Sequence, residues 1–374
     1  MQKTIRRGTS PFLVAMAAIT FGITNADAAS NEELEQRIAS LEQQLQGQAA
    51  KASEKAAKAT WPNIKPFGYI QYTGRSGPAT TAHQFSFDRV RLGVKGGIDE
   101  RIGYRVMLEL LKLNQPAKSN TTVEGLLDAV LSYTAMPELK ISAGQFKTPF
   151  SMAYNTSAAK LDVIGFGMAT NVALDRGLGV MLSGRNVAHF GLGYDVGIFN
   201  AGTRADGTAY TAGTLGRDDM FAGRLLFDSS GRSIHLEAGA AHATVTGGSA
   251  YTAAYGGLRL HYRPVQVKAE YLRGRQGTRT TTVYYGQLLA TVLEHYELVG
   301  KWEQTRLKDM GTGLIASNLT LGLNAALYPE KPQRARLQLN YVIASGDAKS
   351  LGTLVGFRKG IKDNQVALML QAGF

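Results

Sequence analysis

The stretch FDRVRLGVKG, residues 87–96, decides the fold. Read with a period of two, it places Val90, Leu92 and Val94 on one face and Arg89, Arg91 and Lys95 on the other. Alternate side chains of a β-strand point to opposite faces, so this reads as a strand oily on one side and basic on the other. A soluble sheet could hold such a strand with its basic side in water. The pattern returns along the whole chain, however, and late in it Arg334 and Arg336 alternate with Ala335, Leu337 and Leu339. After the N-terminus no apolar run reaches the length of about 20 residues that a membrane-spanning helix needs. Together these features predict one closed wall of strands, apolar outside and basic inside.

Composition narrows the class. The 374 residues include no Cys, 43 Gly and only 10 Pro. Without Cys there is no disulfide framework and no thiolate metal site. The formal net charge of +12 suits nucleic acid, anionic lipid or small anions as partners. An exported, β-patterned chain points to small inorganic anions and to no nucleic acid. Export itself is read from the start of the chain. Lys3, Arg6 and Arg7 precede an apolar run over residues 11–23, and Ala26-Asp27-Ala28 fits a small-x-small cleavage site. Residues 1–28 are therefore expected to be a secretory signal peptide. Residues 29–60 are expected to form a coiled-coil segment and spacer. There Asn31, Leu34, Ile38, Leu41, Leu45 and Gln48 step by three and four, as a and d positions do. Trp61-Pro62 and Lys65-Pro66 end any helix, and the barrel domain is expected over residues 61–374.

From residue 67 onward the pattern gives about 16 strand-like segments, an even number, as bacterial single-chain barrels have. Asp99-Glu100, Pro137, Ser229-Ser230-Gly231 and Pro264 read as short turns on one rim. Residues 74–83, 115–123, 201–217 and 346–362 read as longer loops on the other. Lipid cannot satisfy a free sheet edge, so such a sheet must close. The expected fold is all-β: an antiparallel transmembrane β-barrel of about 16 strands with a short N-terminal coiled-coil helix. One segment breaks the rhythm. Residues 147–175 have no clean period, and between Thr148 and Leu174 their only cation is Lys160. This is the candidate infolded loop. At the other end, Val366, Leu368, Leu370, Ala372 and Phe374 alternate with more polar positions, and a terminal Phe on such a strand predicts handling by the outer-membrane assembly machinery.

A barrel of this strand number is too wide to be filled by its wall side chains and should hold a water channel. Basic groups in a narrow, low-dielectric channel attract anions, and the planar fork of Arg suits phosphate. Parity selects Arg89, Arg91, Lys95, Arg105, Arg224, Arg259, Lys268, Lys301, Arg334 and Arg336 as pore-lining candidates. Lys147 joins them where the fifth strand enters the long segment. Lumen acids such as Glu109, Asp128, Glu270 and Glu303 should pair with some of these, and many such charges could be a cross-strand ladder without a selectivity role. Tyr69, Tyr104, Tyr133, Tyr262, Tyr271, Trp302 and Tyr341 are candidates for aromatic girdles facing the membrane lipid. Enzyme readings find little support: GxGxxG, GxSxG, HExxH and the nucleotide-cradling Gly-Lys loop are all missing. His235 and His242 read as wall residues, and nothing suggests a metal or cofactor.

On several motifs the chain resembles the phosphate-selective porins O and P. They are FDRVRLGVKG (87–96), ISAGQFKTPFS (141–151), LDRGLGVML (174–182), VKAEYLRG (267–274), HYELVGKWEQTRL (295–307) and LTLGLNAALYPEKPQRARLQLNYVIASGD (319–347). Their joint order and spacing carry the resemblance over nearly all of residues 67–374. It implies an N-terminal coiled coil, a homotrimeric outer-membrane barrel, and a basic pore for phosphate, pyrophosphate or polyphosphate. It also implies eyelet arginines on and near infolded loops, whereas the candidate loop here is poor in Arg.

Overall fold

The computed structural model describes residues 61–78, 84–113, 125–200, 219–244, 248–347 and 363–374, together with Ser40 and Gln43. The expected signal peptide and coiled coil lie outside these residues, apart from Ser40 and Gln43, which are helical. Among the described residues, sixteen strands follow one another: β1 (Asn63–Ser76), β2 (Gln84–Gly97), β3 (Ile102–Glu109), β4 (Leu126–Met136), β5 (Leu139–Lys147), β6 (Arg176–Val187), β7 (Leu192–Asn200), β8 (Asp219–Asp228), β9 (Ile234–Ala243), β10 (Tyr251–Tyr262), β11 (Val265–Gln276), β12 (Arg279–Leu293), β13 (Tyr296–Asp309), β14 (Thr312–Ala326), β15 (Ala335–Gly346) and β16 (Gln365–Gly373). Each pairs antiparallel with its neighbours, and β16 returns to β1 to close the barrel.

The wall is inverted relative to a soluble core. On β14, Leu319, Leu321 and Leu323 are exposed, while Thr320 between them and the flanking Asn318 and Asn324 are buried. On β15, Gln338 is completely buried between Leu337 and Leu339, which are exposed to solvent or lipid. Alternation with apolar groups outward is the arrangement a bilayer demands of a barrel. The outward face of the first strands needs one adjustment. A bulge between Gln71 and Tyr72 leaves Asp88 without a partner in the β1–β2 register. The extra residue resets the parity, so that Phe85 and Phe87 rejoin Leu92 and Val94 on the exposed side.

All the expected segments appear, with some ends displaced. β3 stops at Glu109, and residues 110–112 form a 3-10 turn. β12 and β14 begin earlier than hydropathy suggests, because their hairpins turn in two residues, Gly277-Thr278 and Met310-Gly311. Met310 and Gly311 both have positive φ, as a type I′ hairpin turn requires. The four expected short turns fall on one rim with both ends of the barrel chain; the four longer loops join strands on the opposite rim.

Residues 148–175 run inside the barrel. They contain a one-turn helix, α1 (Met152–Asn155), and two 3-10 turns, Ala158–Lys160 and Gly167–Asn171. Phe150, Met168 and Leu174 of this loop are fully buried against Phe199, Met220, Leu272 and Val283 of the wall. Phe150 meets Tyr255 edge-on with ring centroids 4.8 Å apart. The barrel thus has a dry core in its interior, between the loop and the arc from β7 to β14.

Candidate functional site

The long loop is held by polar groups of the wall. Glu270 accepts hydrogen bonds from the backbone N–H groups of Met152 (2.8 Å) and Ala153 (3.0 Å), at the start of α1. Glu303 accepts from the Met168 N–H at 2.8 Å. Asn340 Oδ1 accepts from the Ile164 N–H at 2.7 Å, and Gln338 Nε2 donates to the carbonyls of Leu161 (3.1 Å) and Asp162 (3.0 Å). Carboxylate acceptors make stronger bonds than neutral ones, so this mooring is firm. Beside the moored loop, open space remains along β1–β6 and β13–β16.

Two vestibules occupy that space. One, of about 660 Å³, opens toward the longer-loop rim and is lined by Arg75, Asp88, Arg89, Phe166 and Asn340 among others. The other, of about 620 Å³, opens toward the short-turn rim and is lined by Phe67, Lys95, Arg105, Lys160, Lys331 and Arg334 among others. Arg91, Lys147 and Arg176 border both, which places these three cations at the neck between them.

Each neck cation is fixed differently. Arg91 donates from Nε to Glu109 Oε2 at 2.8 Å and from a terminal nitrogen to the Tyr69 hydroxyl at 2.7 Å. Arg176 donates from Nε to Asp128 Oδ1 at 2.7 Å, and the same carboxylate lies 3.0 Å from Arg105 Nε. Lys147 has no carboxylate partner among the described residues. Its Nζ donates to the carbonyls of Tyr154 and Thr156 and lies 4.8 Å and 5.0 Å from the ring centroids of Tyr154 and Phe166. Arg89, beside the neck, is similar: it donates to Gln71 Oε1 at 2.7 Å and stacks 5.4 Å from the Phe166 centroid. An ammonium has three donors and a guanidinium five, so both cations keep donors for a passing anion. Tyr154 hydrogen-bonds Asp175, and burial, assisted by that carboxylate, holds its phenol well above the usual range, so its hydroxyl remains a donor.

Six of the eleven candidate cations line this passage: Arg89, Arg91, Lys95, Arg105, Lys147 and Arg334. The other five do not border either vestibule. Arg224 is locked between Asp195 (2.7 Å) and Glu237 (3.1 Å), in a network extended by Arg185, His235 and Tyr255. Arg259 stands 3.9 Å from Asp228. Lys268 pairs with Asp162 of the loop, Lys301 is buried against Glu303 beneath Gly167, and Arg336 donates to Gln371. Glu109, Asp128 and Glu303 take cation partners as expected, whereas Glu270 serves the loop backbone instead. Tyr69 is not on the membrane side. Ile70 and Tyr72 face outward, so alternation turns Tyr69 into the lumen with Gln71. His235 belongs to the Arg224 network, and His242 points outward on β9.

Arg176 is the neck residue that parity misses. Its spacing from Leu178, Val180 and Leu182 assigns it to the outer face, but it opens β6 directly opposite Lys147. That pairing, at the two ends of the infolded loop, is the signal that could have found it. No curated protein sequence matches the chain. Several solved barrels do match in fold. The anion-selective porin from Comamonas acidovorans is 15% identical, with a TM-score of 0.62 over 83% of this chain and 99% of that one. The outer membrane channel DcaP of Acinetobacter baumannii is 12% identical, with a TM-score of 0.58 over 83% and 97%. OmpT of Vibrio cholerae in its trimer form is 10% identical, with a TM-score of 0.57 over 83% and 99%. In sequence, the family model for phosphate-selective porin O and P matches residues 68–273, across the neck residues and the infolded loop alike. A closed sixteen-stranded wall, an infolded loop and that match have one reading: the chain is an outer-membrane porin and belongs to the phosphate-selective porin O and P family.

Proposed function

We propose that the channel is anion-selective and conducts phosphate or related anions through the neck of Arg91, Lys147 and Arg176. The observation that carries this reading is Lys147, a cation bordering both vestibules with only carbonyls and rings as partners among the described residues. With Arg89 on one side and Arg105, Lys95 and Arg334 on the other, it forms a graded series of modest sites. Such a series favours conduction, because an ion must leave as readily as it enters. The family description and the anion-selective porin from Comamonas acidovorans support anions as the substrate class. Pyrophosphate and polyphosphate are further candidates within that class. The protein acts as a passive channel, exported by its signal peptide, assembled through Phe374 and trimeric. The trimer form of OmpT is consistent with that assembly.

The test is single-channel recording of the purified protein in planar bilayers under a salt gradient, with phosphate titrated into chloride. Anion-selective reversal and block of chloride current by phosphate are expected, both weakened in Lys147→Met and Arg89→Gln. Cation-selective or unselective reversal in the wild type would refute the proposal. A second reading, a general diffusion porin with weak anion preference, is favoured by Glu109 and Asp128, which offset two of the three charges of Arg91, Arg105 and Arg176. It predicts equal block by phosphate and chloride. A third, a structural tether acting through residues 29–60, predicts that their deletion alters envelope integrity but leaves conductance unchanged.

A further inference from the structure

The outer wall carries a second basic feature, unrelated to the passage. Near the longer-loop rim, Arg273 and Arg275 of β11 and Arg306 and Lys308 of β13 are all exposed and share the outward face with Tyr271 and Trp302. The register sets them in two rows. Arg273 pairs with Thr282, which pairs with Arg306; Arg275 pairs with Thr280, which pairs with Lys308. Four cations thus stand in a two-by-two array with threonines between them. Among the described residues none has a carboxylate within ion-pair distance. Arg275 donates to the Gly277 carbonyl, and Arg306 donates to Gln304 and stacks 5.5 Å from the Tyr284 centroid.

Their depth is set by what lies beneath. The next outward row toward the membrane centre is Tyr271, Tyr284 and Gln304, with Trp302 one row further in and its ring centroid 5.4 Å from that of Tyr284. Such aromatic belts sit at the level of lipid headgroups. Lipid-facing cations are costly at mid-membrane and tolerated near the interface, so the array belongs at headgroup height. Alongside the belt, toward β8, the wall is concave. A trough of about 650 Å³ begins level with Tyr271, Gly256, Ala238 and Leu225 and runs away from the array past Leu258 and Leu236 toward the short-turn rim. The hairpins above are tight turns that cannot fold over the array. Elsewhere on this rim Tyr72, Phe85 and Phe87 of β1–β2 and Ile198 and Phe221 of β7–β8 face outward, together with the polar Asn200, Asp219 and Thr252, and His242 continues the Arg275 row through Thr252.

We propose that this surface binds a phosphorylated glycolipid of the outer leaflet, its phosphates on the four cations and an acyl chain in the trough. Arg donates bidentately to phosphate and Lys supplies a point charge, and β11 and β13, separated by β12 and so about 10 Å apart, let two phosphates be held at once. The inference rests on the outer-membrane placement and not on the choice of permeant anion.

The test uses the full chain in detergent, titrated with lipid A carrying both phosphates, with lipid A stripped of them, and with inorganic phosphate, bound lipid being counted by native mass spectrometry. Binding of the phosphorylated form should be at least tenfold tighter than of the stripped form. The variant Arg273→Gln/Arg275→Gln/Arg306→Gln/Lys308→Gln should lose that preference, and the corresponding variant with Lys at all four positions should keep most of it. The Gln variant should retain barrel mobility on unheated gels and its wild-type reversal potential, which separates this outcome from any failure of the anion-channel reading. Equal binding of both lipids, undiminished binding by the Gln variant, or full displacement by millimolar inorganic phosphate would overturn the proposal. So would a changed protomer number with lipid binding intact, which would assign the surface to a second copy of the chain.

Discussion

At the scale of single residues, the neck is tuned by which cations have a carboxylate and which do not. Glu109 holds Arg91 through a 2.8 Å bond. Glu109→Gln should free that guanidinium and raise anion selectivity, read as a larger reversal potential in a chloride gradient. Lys147→Met should do the opposite and weaken phosphate block several-fold. Charges a few ångströms apart at an effective dielectric near 20 interact by about 4 kcal/mol, and even a quarter of that is a several-fold change in occupancy. Arg224→Gln should leave selectivity unchanged, because Arg224 is committed to Asp195 and Glu237 away from the vestibules. It should lower stability by about 3–5 kcal/mol, the usual result of leaving buried charges unpaired; the denaturation midpoint of the folded barrel checks this. The same scale explains what parity could and could not read. Arg89, Arg91 and Arg105 sit on regular strands and were legible. Lys147 follows Gly144, whose φ of +126° interrupts the alternation of Ile141 and Ala143. A side chain at Gly144 would meet the Ala129 carbonyl at 2.1 Å, so the break is fixed in the backbone. Arg176 lies just beyond the loop, where strand parity has not yet been established.

At the scale of elements, the infolded loop determines where the channel runs. Its course was not legible from hydropathy because its core is made with residues scattered from β7 to β14, and no local period records such distant contacts. What the sequence did show was the break in rhythm over residues 147–175. The loop's poverty in Arg also has a physical reason: its task is to fill space and to accept or donate backbone hydrogen bonds, while the wall and the loop's two ends supply the cations. Phe150→Ala should remove about 3–5 kcal/mol of packing from this core. Glu270→Gln should weaken the mooring of α1 by about 1.5–3 kcal/mol, the range for hydrogen bonds to a charged group. In both variants the expected outcome is noisier single-channel current and faster proteolysis within residues 148–175, with the barrel itself intact.

At the scale of the whole molecule, strand number and closure were the most legible properties, because each strand repeats the same apolar-outward alternation and a bilayer permits no open edge. Connection length placed the four longest loops on one rim, although the two-residue turns at 277–278 and 310–311 share it. The concentration of passage and charge on one side of the barrel was not predictable, since all lumen-facing cations look alike in sequence until the loop has covered half of them. One detail of that covering bears on how the barrel is made. Gln71 of the first strand donates to Gln371 of the last at 2.7 Å and to the Ala158 carbonyl at 3.1 Å, while Gln371 donates to the Ala159 carbonyl at 3.1 Å. The loop therefore fastens the barrel across its seam. The two bonds of Gln371 have no partner until the C-terminal strand has arrived, so the neck acquires its final width last. Until then the lumen is open at the seam, so the last strand to pair sets the width of the passage.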